Sequence, residues 1–127
     1  MKKKGISFKR LIQSFGYAFN GIRRMIVQEQ NAKIHLLAIL IITIAGFYFH
    51  LSATEWIAVV IVSGGVLAAE AFNTSIEALS NTISSTYNKN IKQVKDFAAG
   101  AVLVVTMTSI IVGFIVFLPK IMALFGE

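Results

Sequence analysis

The chain has no cysteine among its 127 residues. That excludes disulfides, thiolate zinc sites and cysteine nucleophiles, and leaves the compartment open. Charge is scarce too: 14% of residues are charged and 56% hydrophobic, where a soluble domain carries about 25% charged residues. The shortage falls in three blocks. No Lys, Arg, Asp or Glu lies between Ile34 and Thr54 or between Phe97 and Pro119, and between Trp56 and Asn88 the only charges are Glu70 and Glu77. Crossing a hydrocarbon core takes roughly 20 apolar residues, so three crossings use most of the chain. Composition excludes a soluble enzyme. No repeat, low-complexity segment or second domain is visible.

What charge there is sits beside the apolar blocks. Eight of the twelve Lys and Arg residues lie in the first 33 positions, and Lys89, Lys92 and Lys95 form a second group. The net charge of +6 therefore points to anionic headgroups and to topology. Nucleic-acid binding is not expected, because no polar face remains to carry it. The basic N-terminus is not a signal peptide: Leu11 to Phe19 is interrupted by Gln13 and Ser14 and precedes no small-residue cleavage site.

The expected fold is an all-α integral membrane protein, a single domain over residues 1–127. Met1 to Gly5 form a basic tail, expected to be mobile. A surface helix is predicted over 6–28, because Phe8, Leu11, Ile12, Phe15, Phe19, Ile22, Met25 and Ile26 recur at helical spacing. Lys9, Arg10, Gln13, Asn20, Arg23 and Arg24 occupy its other faces. Such a helix lies in the membrane interface, or on a soluble partner. Membrane helices are predicted over 34–50, 56–87 and 92–119. The second, about 48 Å long at 1.5 Å per residue, exceeds a ~30 Å core and must project beyond it. Asn88-Lys89-Asn90 is read as the turn, and Pro119 as the stop of the third helix. The connector Leu51 to Glu55 has no basic residue. The positive-inside rule therefore sets the N-terminus in the cytoplasm and this connector, with the stretch from Lys120 to Glu127, outside. Small residues at Ser63-Gly64-Gly65, Ala68-Ala69 and Ala98-Ala99-Gly100-Ala101 mark expected helix contacts.

Glu70 is the chemically conspicuous residue. It falls about 21 Å into a ~30 Å core counted from Trp56, where a carboxylate costs on the order of 2.5–3.5 kcal/mol. A structural, protonated Glu70 is one reading and a functional one the other. Three helices of one chain enclose it poorly, so self-association is expected. Residues seven apart on a helix differ by only about 20° in direction. Glu70, Asn73 and Glu77 therefore share an edge that Asn81 and Ser84 extend towards the cytoplasm. Glu29 closes the surface helix and Asp96 opens the third span, so four carboxylates converge near the inner interface. Two carboxylates with no His or Cys partners suit a hard cation, and Mg²⁺ commonly takes one or two of them plus substrate phosphates. His35 and His50 stand at opposite ends of one span and cannot share a site, which disfavours zinc. Arg10 and Tyr17 present a cation and a ring, seven residues apart, and Lys95 adds charge for phosphates. These parts fit phosphoryl transfer, although no phosphate-cradling glycine loop is present. A channel or transporter subunit is the rival, yet a conduit needs polar groups along its whole depth, and the outer half of every span is apolar.

The run Glu70-Ala71-Phe72-Asn73-Thr74-Ser75-Ile76-Glu77, followed by Lys95-Asp96, resembles the prokaryotic diacylglycerol kinases, as does the plan of a surface helix and three spans. The resemblance covers nearly the whole chain. It implies a homotrimer of the cell membrane with sites between neighbouring subunits, ATP as phosphoryl donor and Mg²⁺ as cofactor. By the same resemblance Glu70 is the catalytic base, and Glu29 and Glu77 are the metal ligands. Arg10, Tyr17, Glu29, Glu77, Thr86, Tyr87, Asn88, Lys95 and Asp96 match ATP-contacting positions, with Asn73 and Asn81 on the supporting polar edge. Asn31-Ala32-Lys33-Ile34-His35, Glu55-Trp56, Lys95 to Val102 and Phe117-Leu118-Pro119-Lys120 look like the Gram-positive branch, whose favoured lipid is undecaprenol. Diacylglycerol is the alternative substrate. Asn81 departs from the family's usual Asp, which puts its part in metal or ATP binding in doubt.

Overall fold

The computed structural model describes residues 5–126, and the basic tail over 1–4 lies outside the described residues. Four helices follow one another: α1 Phe8–Gln28, α2 Gln30–Tyr48, α3 Ala53–Ile83 and α4 Lys89–Phe125. The protein is all-helical, and α2, α3 and α4 are each long and apolar enough to cross a membrane.

Helix α1 starts at Ser7, whose Oγ accepts from the Arg10 backbone N–H at 3.4 Å. Its apolar stripe points away from the rest of the protein, with Phe8, Leu11, Phe15 and Phe19 exposed and only Met25 buried. A helix that leaves its apolar face unmatched by protein has it available for the membrane interface. At Glu29 the backbone turns extended for one residue (φ −99°, ψ 121°), and α2 begins immediately after it.

The connector between α2 and α3 is tightly built. His50 adopts φ 53° at the end of α2. The Leu51 N–H bonds the Gly46 carbonyl at 3.1 Å and the His50 N–H bonds that of Phe47 at 3.3 Å. This left-handed cap satisfies carbonyls that lipid cannot. Ser52 then caps α3: its Oγ accepts from the Glu55 N–H at 3.2 Å, and Glu55 Oε1 accepts from the Ser52 N–H at 2.9 Å. Gly46 permits the Trp56 indole to lie on α2, since a Cβ there would meet Trp56 Cη2 at 2.5 Å. Around this corner Leu51, Val59, Val116 and Phe117 form the buried cluster, with Trp56 and Phe49 against it.

Helices α3 and α4 form a long antiparallel hairpin. Lys95 Nζ donates to Asn81 Oδ1 at 2.6 Å at one end, and Lys120 Nζ lies 3.2 Å from Glu55 Oε1 at the other. That register sets Thr106 level with Glu70. At 1.5 Å per residue α3 reaches about 46 Å and α4 about 55 Å, so both outrun a ~30 Å core. Of the expected small-residue contacts, Ala98 is buried and Gly65 approaches Val105.

Only the end of α1 falls where it was expected: α1 begins at Phe8 rather than at 6, α2 runs Gln30–Tyr48 rather than 34–50, and α3 begins at Ala53 rather than at 56, because the Ser52–Glu55 capping box starts it there. Helix α3 stops at Ile83 rather than at 87, and Ser84 to Asn88 form a loop. The Ser84 hydroxyl donates to the Thr86 carbonyl at 3.0 Å, a local bond that competes with the helical ladder. Of the turn expected at Asn88-Lys89-Asn90 only Asn88 lies in the loop, because its Oδ1 accepts from the Asn90 and Ile91 N–H groups and so starts α4 at Lys89. Pro119 does not stop α4, which runs on to Phe125. Proline removes one backbone donor, and in a packed membrane helix neighbours tolerate that loss. Val116 and Phe117 are buried just before it, and the Lys120–Glu55 pair holds the turn just after.

Candidate active site

The packing inverts that of a soluble protein. On α2 and α4 most large apolar side chains face outward, whereas Glu70, Asn73 and Ser80 of α3 are buried. Their spacing of three and seven residues puts them on one face of α3 with Val59 and Val66. In lipid, apolar groups lose nothing by facing out, and polar groups are stabilised by facing other helices. Several hydroxyls of the spans satisfy themselves within their own helix, as Thr43 does with the Ile39 carbonyl at 2.7 Å and Thr108 with that of Val104 at 2.9 Å.

Glu70 does not. The residue is 1% exposed, and its Oε2 has no hydrogen-bond partner. Asn73 Oδ1, Thr74 Oγ1 and Thr106 Oγ1 are likewise buried without partners. Orphaned buried acceptors are costly, by about 1–3 kcal/mol each. A cluster of them is the arrangement expected of a site that completes its bonds with a ligand or another subunit. The nearest titratable group is His35, with Nε2 3.8 Å from Glu70 Oε2. Expected to lie apart from His50 and outside any metal site, His35 is a functional candidate that the sequence reading missed. The signal was there: His35 and Glu70 are equidistant in sequence from the Ser52–Ala53 step where α3 begins, so antiparallel helices bring them level.

Other expected site residues meet in pairs. Asn73 Nδ2 donates to Glu77 Oε1 at 3.3 Å, which orients that carboxylate one turn further along α3. Asn81 accepts from Lys95, so the position that departs from the family's Asp serves as a neutral acceptor and leaves the lysine charge uncompensated. Asp96 pairs with Lys92 at 2.7 Å. The loop carrying Thr86, Tyr87 and Asn88 encloses, with Asn81, Lys92 and Lys95, a polar cavity of about 250 Å³. Arg10 and Tyr17 stay apart: they are exposed on α1, and among the described residues their side chains form no hydrogen bond or ion pair. Glu29, half-buried at the α1–α2 break, lies within electrostatic reach of Glu70, as does Glu77.

No cluster of three His, Asp or Glu side chains is found among the described residues. An all-protein metal cage is therefore not what the donors supply. Two carboxylates, Glu29 and Glu77, neither of them in an ion pair among the described residues, do fit Mg²⁺, which usually takes one or two carboxylates together with substrate phosphates.

A buried carboxylate at the wall of a membrane helix bundle, with a polar cavity at the projecting end, is the layout of an enzyme that joins a membrane-borne substrate to a water-soluble one. The family model described as prokaryotic diacylglycerol kinase matches residues 16–117, and the chain belongs to that family. Among similar proteins are the undecaprenol kinase of Bacillus subtilis (strain 168), 37% identical over 112 residues, or 88% of this chain and 91% of that one. A diacylglycerol kinase of Synechocystis is 31% identical over 90% of this chain and 66% of its own length. The diacylglycerol kinase of Escherichia coli (strain K12) is 24% identical over 87% and 91% respectively. The protein is a membrane-embedded lipid kinase with ATP as its phosphoryl donor.

Proposed function

We propose that this kinase phosphorylates undecaprenol to undecaprenyl phosphate. The observation that carries the reading is the 37% identity to an undecaprenol kinase along almost the full length of both chains. An apolar cleft of about 450 Å³ between α2 and α4 supports it. It adjoins a smaller cavity that reaches His35, so a long apolar chain lying along α3 can present its hydroxyl near Glu70.

In this reading Glu70 accepts the hydroxyl proton as the lipid oxygen bonds to the γ-phosphorus and the bond from that phosphorus to the β,γ-bridging oxygen breaks. Its orphaned Oε2 has the free lone pair that a base needs. Glu29 and Glu77 hold Mg²⁺, which when bound neutralises phosphate charge. Lys95 carries a cation to the polar cavity, and Thr86, Tyr87, Asn88 and Asp96 line or flank the nucleotide. Arg10 and Tyr17 reach ATP in a homotrimer whose sites lie between subunits, which accounts for their lack of partners within one chain. The enzyme sits in the cell membrane with its N-terminus in the cytoplasm and its C-terminus outside.

The test is ATP-dependent phosphorylation of undecaprenol and of diacylglycerol in the same micelles. Faster turnover of undecaprenol is expected. Faster turnover of diacylglycerol makes the protein a diacylglycerol kinase, the reading that the other relatives support.

A further inference from the structure

We infer that His35 is a positioning residue for Glu70, holding the carboxylate so that Oε2 faces the incoming lipid hydroxyl. The inference rests on the reading of Glu70 as the base. A buried carboxylate with one oxygen unpartnered is free to rotate about its last torsion, and a base that rotates spends time in unproductive orientations. Among the described residues, His35 is the only side chain within ion-pair distance of Glu70. At 3.8 Å the contact is longer than the 2.7–3.2 Å of a hydrogen bond. The imidazole is therefore near enough to orient the carboxylate through its polar edge, yet it leaves the lone pair of Oε2 open. Apo contacts of this kind commonly shorten in the reacting complex.

The location adds a second argument. His35 lines the small apolar cavity between α2, α3 and α4, alongside Val62, Ser63, Val66 and Ser109. Glu70 stands one turn beyond Val66 on the same face of α3. The ring thus occupies the border between the space open to an apolar chain and the carboxylate. Its side chain is 19% exposed against 2% for that of Glu70, so the histidine is the member of the pair that the cavity reaches. Glu29 and Glu77 are the other charged groups that Glu70 senses, and both lie towards the cytoplasmic end. His35 alone approaches from the α2 side.

Two substitutions separate positioning from packing. His35→Leu keeps apolar bulk against the cavity and removes the polar edge, whereas His35→Gln retains a side-chain N–H near the place of Nε2. Steady-state kinetics with undecaprenol and Mg-ATP should show kcat for His35→Leu reduced by about tenfold to 10²-fold, with KM for ATP unchanged. His35→Gln should recover most of that loss. If the leucine variant does not assemble, His35→Ala, which adds no bulk, carries the same comparison. In the Glu70→Gln background, His35→Leu should cost nothing further, since residues that act as a unit are not additive. Wild-type kcat in His35→Leu, or equal losses in the Leu and Gln variants, overturns the inference while leaving Glu70 as base. Near-normal turnover by Glu70→Gln alone overturns the reading of the base itself, a separate result.

Discussion

Replacing Glu70 by glutamine separates a functional carboxylate from a structural one, because the two assignments move stability and rate in opposite directions. Gln has nearly the shape of Glu and cannot accept a proton at the same oxygen. The side chain is 1% exposed, and its Oε2 has no bond to lose. Only the 3.8 Å approach of His35 is weakened, and an amide is less costly than a carboxylate at that depth, where the ionised acid contributes on the order of 2.5–3.5 kcal/mol of penalty. Glu70→Gln should unfold at the same or higher temperature in mild detergent. A positioned base contributes roughly 10²–10⁴-fold to rate, equivalent to about 2.7–5.5 kcal/mol of barrier. The variant should thus lose that factor in kcat while its KM for ATP stays within about twofold, since the polar cavity proposed for the nucleotide lies further along the hairpin, around Asn81 and Lys95. The assay is phosphoryl transfer from ATP to undecaprenol, run beside thermal unfolding of the same preparation. Normal kcat with lowered stability would refute the argument, and Glu70 would then be a packing residue with Asp96 the next candidate for the base.

Four further outcomes are expected. Glu29→Gln and Glu77→Gln should each raise the Mg²⁺ concentration needed for half-maximal rate, with activity partly restored by excess Mg²⁺; an unaltered Mg²⁺ titration in both removes them from the metal site. Cysteine labelling of intact cells should modify Ser52→Cys and spare Asn90→Cys, and the reverse pattern would invert the topology. Gly46→Ala drives a methyl into the Trp56 ring at 2.5 Å and 2.9 Å, and overpacking of this kind costs about 1–3 kcal/mol; a lower unfolding midpoint should appear, relieved by Trp56→Phe. His50→Gly should raise the midpoint, because a left-handed residue with a side chain carries a penalty of roughly 1–2 kcal/mol that glycine avoids; a fall in midpoint would show that the imidazole makes up the difference.

Much of the site was legible because a helix has a fixed period. Glu70, Asn73 and Glu77 had to share an edge once α3 was helical, and Ser80, seven residues beyond Asn73, falls on the same buried face. The caps were harder to read. Ser52 with Glu55 and Asn88 with Asn90 and Ile91 depend on side-chain bonds of two or three residues' reach, and they decided where α3 and α4 begin. Pro119 misled for a related reason: its usual meaning as a helix stop assumes no tertiary partner for the following turn, and Lys120 finds one in Glu55.

Hydropathy and charge placement alone determined that the chain is an all-α membrane protein with three crossings, since each crossing is a local property of about 20 residues. The same local logic put Glu70, Asn73 and Glu77 on one edge of α3. Which residues meet across helices was decided only by tertiary structure. His35 and Glu70, or Asn81 and Lys95, are neighbours through the register of antiparallel helices. That register is set by the length of each connector and by the close approach of Gly46 to Trp56. A change of one turn, about 5.4 Å, would leave every helix intact and separate every pair.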